Sequence, residues 1–142
     1  MSTFSAMATS SRSPAPVRRY AGRRALVVET DPDTRRLARQ VLERVGFIVD
    51  AVDNGVEAVS TARVTLPELI LLDLQLRDVQ GAEVLRWLRA NPALKLAPVI
   101  AISTSRGDLP ELRDARVSAV LRKPLSAQPI VVAVDAAMTA VD

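Results

Sequence analysis

The sequence predicts an α/β fold in which helices cover both faces of a parallel, doubly wound sheet. From residue 25 onward, short apolar runs alternate five times with longer amphipathic stretches, and this alternation is typical of βα units. Hydrophobic residues make up 49% of the 142 residues and aromatic residues only 3%. The core must therefore consist of Val, Leu, Ile and Ala, which buried parallel strands favour. A chain of this length buries roughly two thirds of its unfolded surface, so we expect one domain.

The first βα unit carries clear helix signals. Its strand is predicted at Ala25–Glu29, and Asp31 follows as the N-cap of a helix that begins with Pro32. An aspartate side chain accepts hydrogen bonds from the free amides of a first turn, and proline has no amide that would need a partner there. Gly46 is predicted to end this helix.

The second and third strands are separated by a short helix. Phe47–Val52 is the second strand, and the turn Asp53–Gly55 leads into a helix that ends at about Arg63. Glu68–Asp73 is the third strand, and it is apolar between its two end residues. A strand that is apolar on both faces lies inside a sheet. We therefore predict a central position for this strand, with Asp73 at its carboxyl end.

The rest of the chain continues the same alternation after a loop that closes at Gly81. The predicted elements are a helix at 82–90, a strand at 98–103, a weak helix at 109–115, a strand at 118–121 and a final helix at 126–140. Asn91-Pro92 ends the first of these helices, because the residue before a proline avoids helical backbone angles.

Positive charge is concentrated at the start of the chain. Five of the 19 basic residues and none of the 16 acidic residues lie in residues 1–24. Residues 1–23 are predicted to be a disordered basic leader, and residues 24–142 the folded domain. The leader is either a solvated tail or a contact for an acidic partner or a phosphate backbone. The mildly acidic body gives no indication of nucleic-acid binding.

Missing residue types exclude several chemistries. The chain has no Cys and no His, which rules out disulfides, thiolate metal sites, zinc ligation by imidazole and imidazole bases. No run of 18 or more apolar residues occurs, so we expect no contact with a membrane. Chemistry must come from carboxylates, hydroxyls, Lys or Arg.

Polar side chains follow four of the predicted strands at the point where each strand ends. They are Glu29 and Thr30, Asp73, Ser103 and Lys123. In a doubly wound sheet, ligands bind outside the carboxyl ends of the strands. A carboxylate beside an acid, a hydroxyl and an ammonium group suits phosphoryl transfer, in which the carboxylate attacks phosphorus and a divalent cation balances the developing charge.

These segments, taken in order, resemble the receiver domains of two-component response regulators over residues 24–141. The matching segments are Leu26–Pro32 (first strand and acidic pair), Leu69–Leu76 with Gly81 (acceptor strand and loop), Pro98–Ser103 (strand and hydroxyl residue) and Leu121–Leu125 (Lys-Pro signature). The acceptor aspartate and the hydroxyl residue are 30 positions apart, and the hydroxyl residue and the lysine 20. The resemblance implies a flavodoxin-like (βα)5 fold with strand order 2-1-3-4-5 and a cis peptide bond before Pro124.

The resemblance also implies a signalling function. Asp73 is the expected phosphate acceptor, and Ser103 and Lys123 are expected to hold and sense the phosphate. Glu29, Asp73 and the backbone carbonyl of Gln75 form the expected Mg²⁺ environment. The expected donor is a sensor histidine kinase or a phosphotransfer protein in the cytoplasm. We expect no enzyme activity beyond self-catalysed phosphoryl transfer and autodephosphorylation.

Several positions depart from the family's pattern. Thr30 stands where the family has a second acid that binds Mg²⁺ directly, so the resemblance implies weaker Mg²⁺ binding here. Val120 replaces an aromatic switch residue, Thr104 replaces a small residue, and Arg77 replaces a proline. These departures leave an alternative function open, that of a pseudo-receiver acting as a phosphorylation-independent protein-binding module.

The last predicted helix is apolar almost all round. From Ile130 to Val141 its only charged residue is Asp135, whereas a surface helix normally has a polar face. It either packs on the sheet with alanines outward or forms a surface for a downstream protein or a second copy of the chain. We take Ile130 and Val134, together with Ser103 and Val120, as the candidate switch and partner surface.

A small α/β enzyme or cofactor carrier is a third class of function. A flavin carrier needs hydroxyl and amide groups after the first strand to bind phosphate, and Asp31 and Asp33 would repel phosphate there. A phosphatase of the haloacid dehalogenase type needs two acids one residue apart with Thr or Val two positions further on. The acids are present, but Arg35 occupies that last position and Pro32 begins a helix.

Overall fold

The computed structural model describes residues 18–107, 109–112 and 115–141 and contains a five-stranded parallel sheet. The strands are β1 Arg24–Val28, β2 Ile48–Val52, β3 Leu69–Asp73, β4 Val99–Ser103 and β5 Ala119–Arg122. Their order in the sheet is β2-β1-β3-β4-β5, which confirms the predicted fold class and strand order. The helices are α1 Pro32–Arg44, α2 Gly55–Thr65, α3 Gly81–Ala90 and α4 Ala127–Val141.

The sheet separates two hydrophobic layers. On one face, α1 and α4 pack with residues such as Leu42 and Ile130 on Leu71 of the central strand. On the other face, α2 and α3 pack with residues such as Leu85 on Leu72. Every residue of β3 and β4 is buried, as expected for strands covered on both faces. Burial of each such Leu or Ile side chain contributes about 1.5–3 kcal/mol.

Local capping determines where the first two helices begin. The Asp31 side chain accepts a hydrogen bond from the Thr34 amide, and Pro32 is the first residue of α1, as predicted. Asn54 caps α2 in the same way by accepting from the Glu57 amide. Both caps lie at the carboxyl edge of the sheet, because β1 and β2 are parallel and the helices follow them directly.

The predicted fourth helix at residues 109–115 is wrong. The described residues of this stretch hold only a 3₁₀ turn at Pro110–Leu112, while residues 113 and 114 lie outside the described residues. The Leu112 amide closes this turn by donating to the Leu109 carbonyl at 3.0 Å, and the Leu112 side chain is buried. One face of the sheet therefore has a short connection in this position.

The packed part of the chain begins earlier than the predicted boundary at residue 24. Tyr20 is buried, its ring stacks on Phe47 at 4.9 Å, and its hydroxyl donates to Asp135 Oδ1 at 2.6 Å. The peptide amide of Tyr20 also donates to the carbonyl of Val45. Residues 18–23 thus belong to the folded body, and the predicted leader up to residue 17 lies outside the described residues.

Two residues of the last helix that were predicted to form a partner surface face the core instead. Ile130 and Val134 are buried at 0% and 1% exposure, so their assignment to a surface is wrong. They lie one turn apart on the face of α4 that packs against the sheet. Among the side chains of this helix that the structure describes, Val132 is the exposed large apolar one, with 56% of its surface exposed.

Among the residues that the structure describes, no helix is long and apolar enough to span a membrane.

Candidate functional site

The carboxyl ends of four strands bring the predicted polar residues to one edge of the sheet. Glu29 follows β1, Asp73 ends β3, Ser103 ends β4 and Lys123 follows β5. The strands are in a register that pairs Asp73 with Ile102, so Asp73 and Ser103 lie at the same level. Glu29, Asp73 and Ser103 are buried polar residues. This edge is the candidate site.

Asp73 is held by hydrogen bonds on both of its carboxylate oxygens. Its Oδ1 accepts from the Gln75 amide at 2.9 Å. Its Oδ2 lies 3.4 Å from Lys123 Nζ and accepts a long hydrogen bond of 3.5 Å from the Thr30 amide. The side chain is 1% exposed. A carboxylate with this little freedom and with a cation beside it is preorganised for a reaction at its oxygens.

Lys123 and Glu29 form the shortest ion pair of the site. Their Nζ and Oε2 atoms are 2.8 Å apart, and the Asp31 amide donates to the same Oε2 at 2.9 Å. Burial raises the pKa of Glu29 even though Lys123 and the Asp31 amide act in the opposite direction. Burial alone would lower the pKa of Lys123, but the hydrogen bond and charge of Glu29 and the charge of Asp73 outweigh it and raise the pKa. Lys123 is therefore an ammonium ion at neutral pH.

Lys123 is fixed by the chain as well as by its ion pair. Its amide donates to the carbonyl of Ser103 at 2.9 Å. The Lys123–Pro124 peptide bond is cis, as the resemblance implied. The hydrogen bond to the Ser103 carbonyl holds the backbone of Lys123 beside the end of β4.

The hydroxyl residues of the site lie on two loops. Ser103 Oγ accepts from the Ser105 amide at 2.9 Å, so this hydroxyl is held by the loop that follows β4. Thr104 Oγ1 donates to Gln75 Oε1 at 2.8 Å, which links the loops after β4 and β3 across the exposed side of the site. Val120, which was predicted to be part of the switch and partner surface, is half-buried on β5. It packs in the hydrophobic layer of α2 and α3.

The oxygen atoms of the site fit a hard divalent cation. Within the described part of the chain, Glu29 Oε1 and Thr30 Oγ1 are buried without a hydrogen-bond partner, and Asp73 supplies a second carboxylate. No cluster of three or more acidic, His or Cys side chains suited to a metal occurs among the described residues. Mg²⁺ commonly binds through one or two carboxylates and keeps several waters, so two carboxylates, a hydroxyl and the Gln75 carbonyl are a suitable donor set.

Arg35 is a residue of the site that could not be identified from the sequence. Its Nη1 donates to the carbonyls of Glu29 and Thr30 at 2.9 and 3.2 Å. These bonds hold the backbone that follows β1, and the guanidinium group has the donor geometry for several carbonyls at once. Arg35 looks like any other charge on a helix in the sequence, because its partners are backbone atoms.

The sequence of the chain matches a known protein family. A family model for the response regulator receiver domain matches residues 25–135. The chain belongs to this family. The receiver domain is 36% identical over 103 residues to the polar-differentiation response regulator DivK of Brucella anthropi, covering 71% of this chain and 84% of that protein.

Solved structures show the same fold. The receiver domain resembles the Mn(2+)-bound form of response regulator Rcp1 with a TM-score of 0.65 and 27% identity, covering 76% of this chain and 86% of that one. It resembles the chemotaxis response regulator CheY4 of Vibrio cholerae with a TM-score of 0.76, covering 80% of this chain and 96% of that one. The identity to CheY4 is 19%, so that likeness concerns the fold alone.

Proposed function

We propose that this receiver domain accepts a phosphoryl group on Asp73 and signals through contacts with other proteins. The observation that carries the proposal is the buried Asp73 carboxylate with Lys123 Nζ 3.4 Å from its Oδ2. A carboxylate oxygen attacks the phosphorus of a phosphohistidine, an O–P bond forms, the N–P bond breaks, and the histidine takes a proton as it leaves. We propose a sensor histidine kinase or a phosphotransfer protein as the donor, in the cytoplasm.

The residues around Asp73 have distinct proposed roles. Lys123 stabilises the negative charge on the phosphoryl oxygens, and the Ser103 hydroxyl is a hydrogen-bond donor for one of them. Glu29, Asp73 and the Gln75 carbonyl would hold Mg²⁺, which when bound balances the charge that develops during transfer. The Mn(2+)-bound form of the similar response regulator Rcp1 supports a divalent cation. We take phosphoryl transfer and self-catalysed hydrolysis as the only chemistry of the chain.

A pseudo-receiver is the second candidate function, and the Glu29–Lys123 pair favours it. A cation that binds Glu29 must compete with an ammonium group 2.8 Å away, and Thr30 contributes no charge to help it. If the cation does not bind, Asp73 is not phosphorylated. The domain then acts as a protein-binding module whose surface does not depend on phosphate.

One experiment separates the two functions. The protein is incubated with Mg²⁺ and acetyl phosphate, and its intact mass is measured over time beside the variant Asp73→Asn. We expect the mass of one phosphoryl group to appear on the unsubstituted protein, to require Mg²⁺, and to be absent from the variant. No adduct, under conditions that label a receiver of known activity, contradicts phosphorylation and supports the pseudo-receiver.

The solvent side of α4 is the surface that we propose for a downstream protein or a second copy. Val132 on this side is 56% exposed, and no charged residue lies between Ile130 and Asp135 in the sequence. A contiguous exposed apolar patch marks an interaction surface. This surface replaces the one that the sequence assigned to Ile130 and Val134.

A further inference from the structure

The loop between β3 and α3, residues 74–80, carries a carboxylate that caps another helix. Asp78 Oδ1 accepts from the Gly55 amide at 2.8 Å, and Asp78 Oδ2 accepts from the Val56 amide at 2.9 Å. These are the first two amides of α2, and they have no partner within their own helix. Asn54 provides the nearer cap, but its side chain reaches only the Glu57 amide. The cap of α2 is therefore completed by a loop 22 or more positions away in sequence.

The packing at this point supports a specific contact between the loop and α2. A Cβ atom added to Gly55 would lie 2.2 Å from Val79 Cγ2 and 3.3 Å from Asp78 Oδ1. Any side chain at position 55 would require the Val79 side chain to move. The loop and the first turn of α2 are thus fitted to each other by shape as well as by hydrogen bonds.

The same loop is fastened to the phosphate acceptor at its base. The Gly81 amide donates to the Leu74 carbonyl at 3.2 Å, and a Cβ atom on Gly81 would lie 2.6 Å from the Asp73 carbonyl oxygen. The Gln75 amide donates to Asp73 Oδ1 at 2.9 Å. The loop is therefore held at one end by the acceptor and at its apex by α2.

The charge of Asp78 suits this contact. Hydrogen bonds from the amides of Gly55 and Val56 lower the pKa of Asp78, so the carboxylate is ionised at neutral pH. A negative charge at a helix N-terminus interacts favourably with the helix dipole. A neutral residue of similar shape would lose both this interaction and one of the two acceptor oxygens.

We propose that Asp78 is a positioning residue for the acceptor site: its carboxylate fastens the loop to the first turn of α2 and thereby fixes Gln75 beside Asp73. This inference rests on the proposed function, because the Gln75 carbonyl is a proposed Mg²⁺ ligand. Asp78 touches neither the cation nor the phosphoryl group and acts through the two residues, Leu76 and Arg77, that separate it from Gln75. Loss of the carboxylate frees the apex of the loop, and the ligand carbonyl then samples other orientations.

The test compares Asp78→Asn with two other variants. Asp78→Glu keeps both carboxylate oxygens and is the rescue variant. Asp53→Asn removes the same charge at the same end of α2, but the Asp53 carboxylate accepts from Asn54 Nδ2 at 2.8 Å and does not bind the amides of Gly55 and Val56. Asp53→Asn is therefore the control for charge alone.

Two measurements are made on each folded variant. Hydrogen exchange of the Gln75 amide is followed by NMR without metal, and the Kd for Mg²⁺ is measured by calorimetric titration. In Asp78→Asn we expect exchange at Gln75 to accelerate and the Kd for Mg²⁺ to rise about tenfold, as is usual when a residue that orients a ligand is removed. Asp53→Asn should leave both unchanged, and Asp78→Glu should restore most of the affinity. Loss of a cap with a purely structural role would lower the urea midpoint without changing the Kd.

The outcomes separate this inference from the proposed function. Unchanged Gln75 exchange in Asp78→Asn overturns the inference, and so does faster exchange with an unchanged Kd or an equal effect of Asp53→Asn. If the unsubstituted protein binds no Mg²⁺, the proposed phosphorylation is contradicted. In that case hydrogen exchange of the Gln75 amide, measured without metal, is the measurement that decides whether Asp78 positions Gln75.

Discussion

The substitution Lys123→Met tests the electrostatics of the site most sharply. At the observed 2.8 Å between Lys123 Nζ and Glu29 Oε2, an effective dielectric constant of about 20 gives an attraction of about 6 kcal/mol. The variant leaves the fully buried Glu29 and the 1% exposed Asp73 without their cation. Breaking a buried ion pair costs about 3–5 kcal/mol. Because the Lys123 side chain is 19% exposed and water screens it, we expect a loss near the lower end, about 3 kcal/mol at neutral pH.

The loss should depend on pH in a defined direction. Burial already raises the pKa of Glu29 above 4.5, and Lys123 opposes this rise, so the pKa rises further in the variant. A folded-state pKa above the unfolded value means that the folded protein takes up the proton first, and protonation relieves the unpaired buried charge. The difference in unfolding free energy between the variant and the unsubstituted protein should therefore shrink as the pH falls through the raised pKa of Glu29.

The assay is urea unfolding followed by the fluorescence of Trp87, which is the only tryptophan of the chain. Lys95→Met is the matched control, because Lys95 is an exposed lysine. The double variant Glu29→Gln with Lys123→Met removes both charges and should be more stable than the sum of the two single losses predicts, by about 2 kcal/mol. A Lys123→Met loss below about 1 kcal/mol, or one that does not change with pH, would show that Lys123 does not neutralise the buried carboxylates.

Three further predictions follow from the structure. Thr30→Asp adds a charged ligand beside the unpartnered Glu29 oxygen and should lower the Kd for Mg²⁺ about tenfold in calorimetry; an unchanged Kd would contradict the assigned place of the cation. Burial and the hydrogen bond to Asp135 raise the pKa of Tyr20 above 10.0, so the absorbance titration of this single tyrosine should have its midpoint above 10.0 in the folded protein and fall to about 10 in urea. The stability that Tyr20 contributes is complete below pH 10 and is lost as the pH rises through the folded pKa, and Asp135→Asn should lower the midpoint. Val132→Lys should change the free energy of unfolding, measured with urea, by less than about 0.5 kcal/mol, and it should weaken any self-association seen by sedimentation. Unchanged self-association would exclude this side of α4 as the contact.

Much of the fold was predictable because its signals are local. Alternating apolar and amphipathic segments predicted five strands in the correct positions, and the Asp31-Pro32 pair predicted where α1 begins. The positions of Glu29, Asp73, Ser103 and Lys123 at one edge followed from a general property of parallel sheets, in which the carboxyl ends of the strands share an edge. The short weak segment around Pro110 was predicted as a helix because the few residues there carry no signal that separates a helix from a 3₁₀ turn.

The predictions from sequence that were wrong, and the residues that were missed, concern tertiary contacts. Because α4 is apolar almost all round, its sequence does not show how the helix is rotated about its axis, so the buried positions of Ile130 and Val134 could not be distinguished from the exposed Val132. Arg35 and Asp78 bind backbone atoms, and backbone partners leave no mark in the sequence. Tyr20 was included in the predicted leader because its partner Asp135 lies 115 positions away.

The most direct test of the account is a crystal structure of the protein with Mg²⁺ and beryllofluoride, which imitates a phosphoryl group on a carboxylate. We predict beryllofluoride bonded to a carboxylate oxygen of Asp73, with Lys123 Nζ and Ser103 Oγ turned to its fluorines. Mg²⁺ should lie between Asp73, the Gln75 carbonyl and the side of Glu29 that has no hydrogen-bond partner. A structure in which Asp73 stays unmodified at saturating Mg²⁺ and beryllofluoride, with Lys123 still paired to Glu29, would contradict the assignment of Asp73 as the phosphate acceptor.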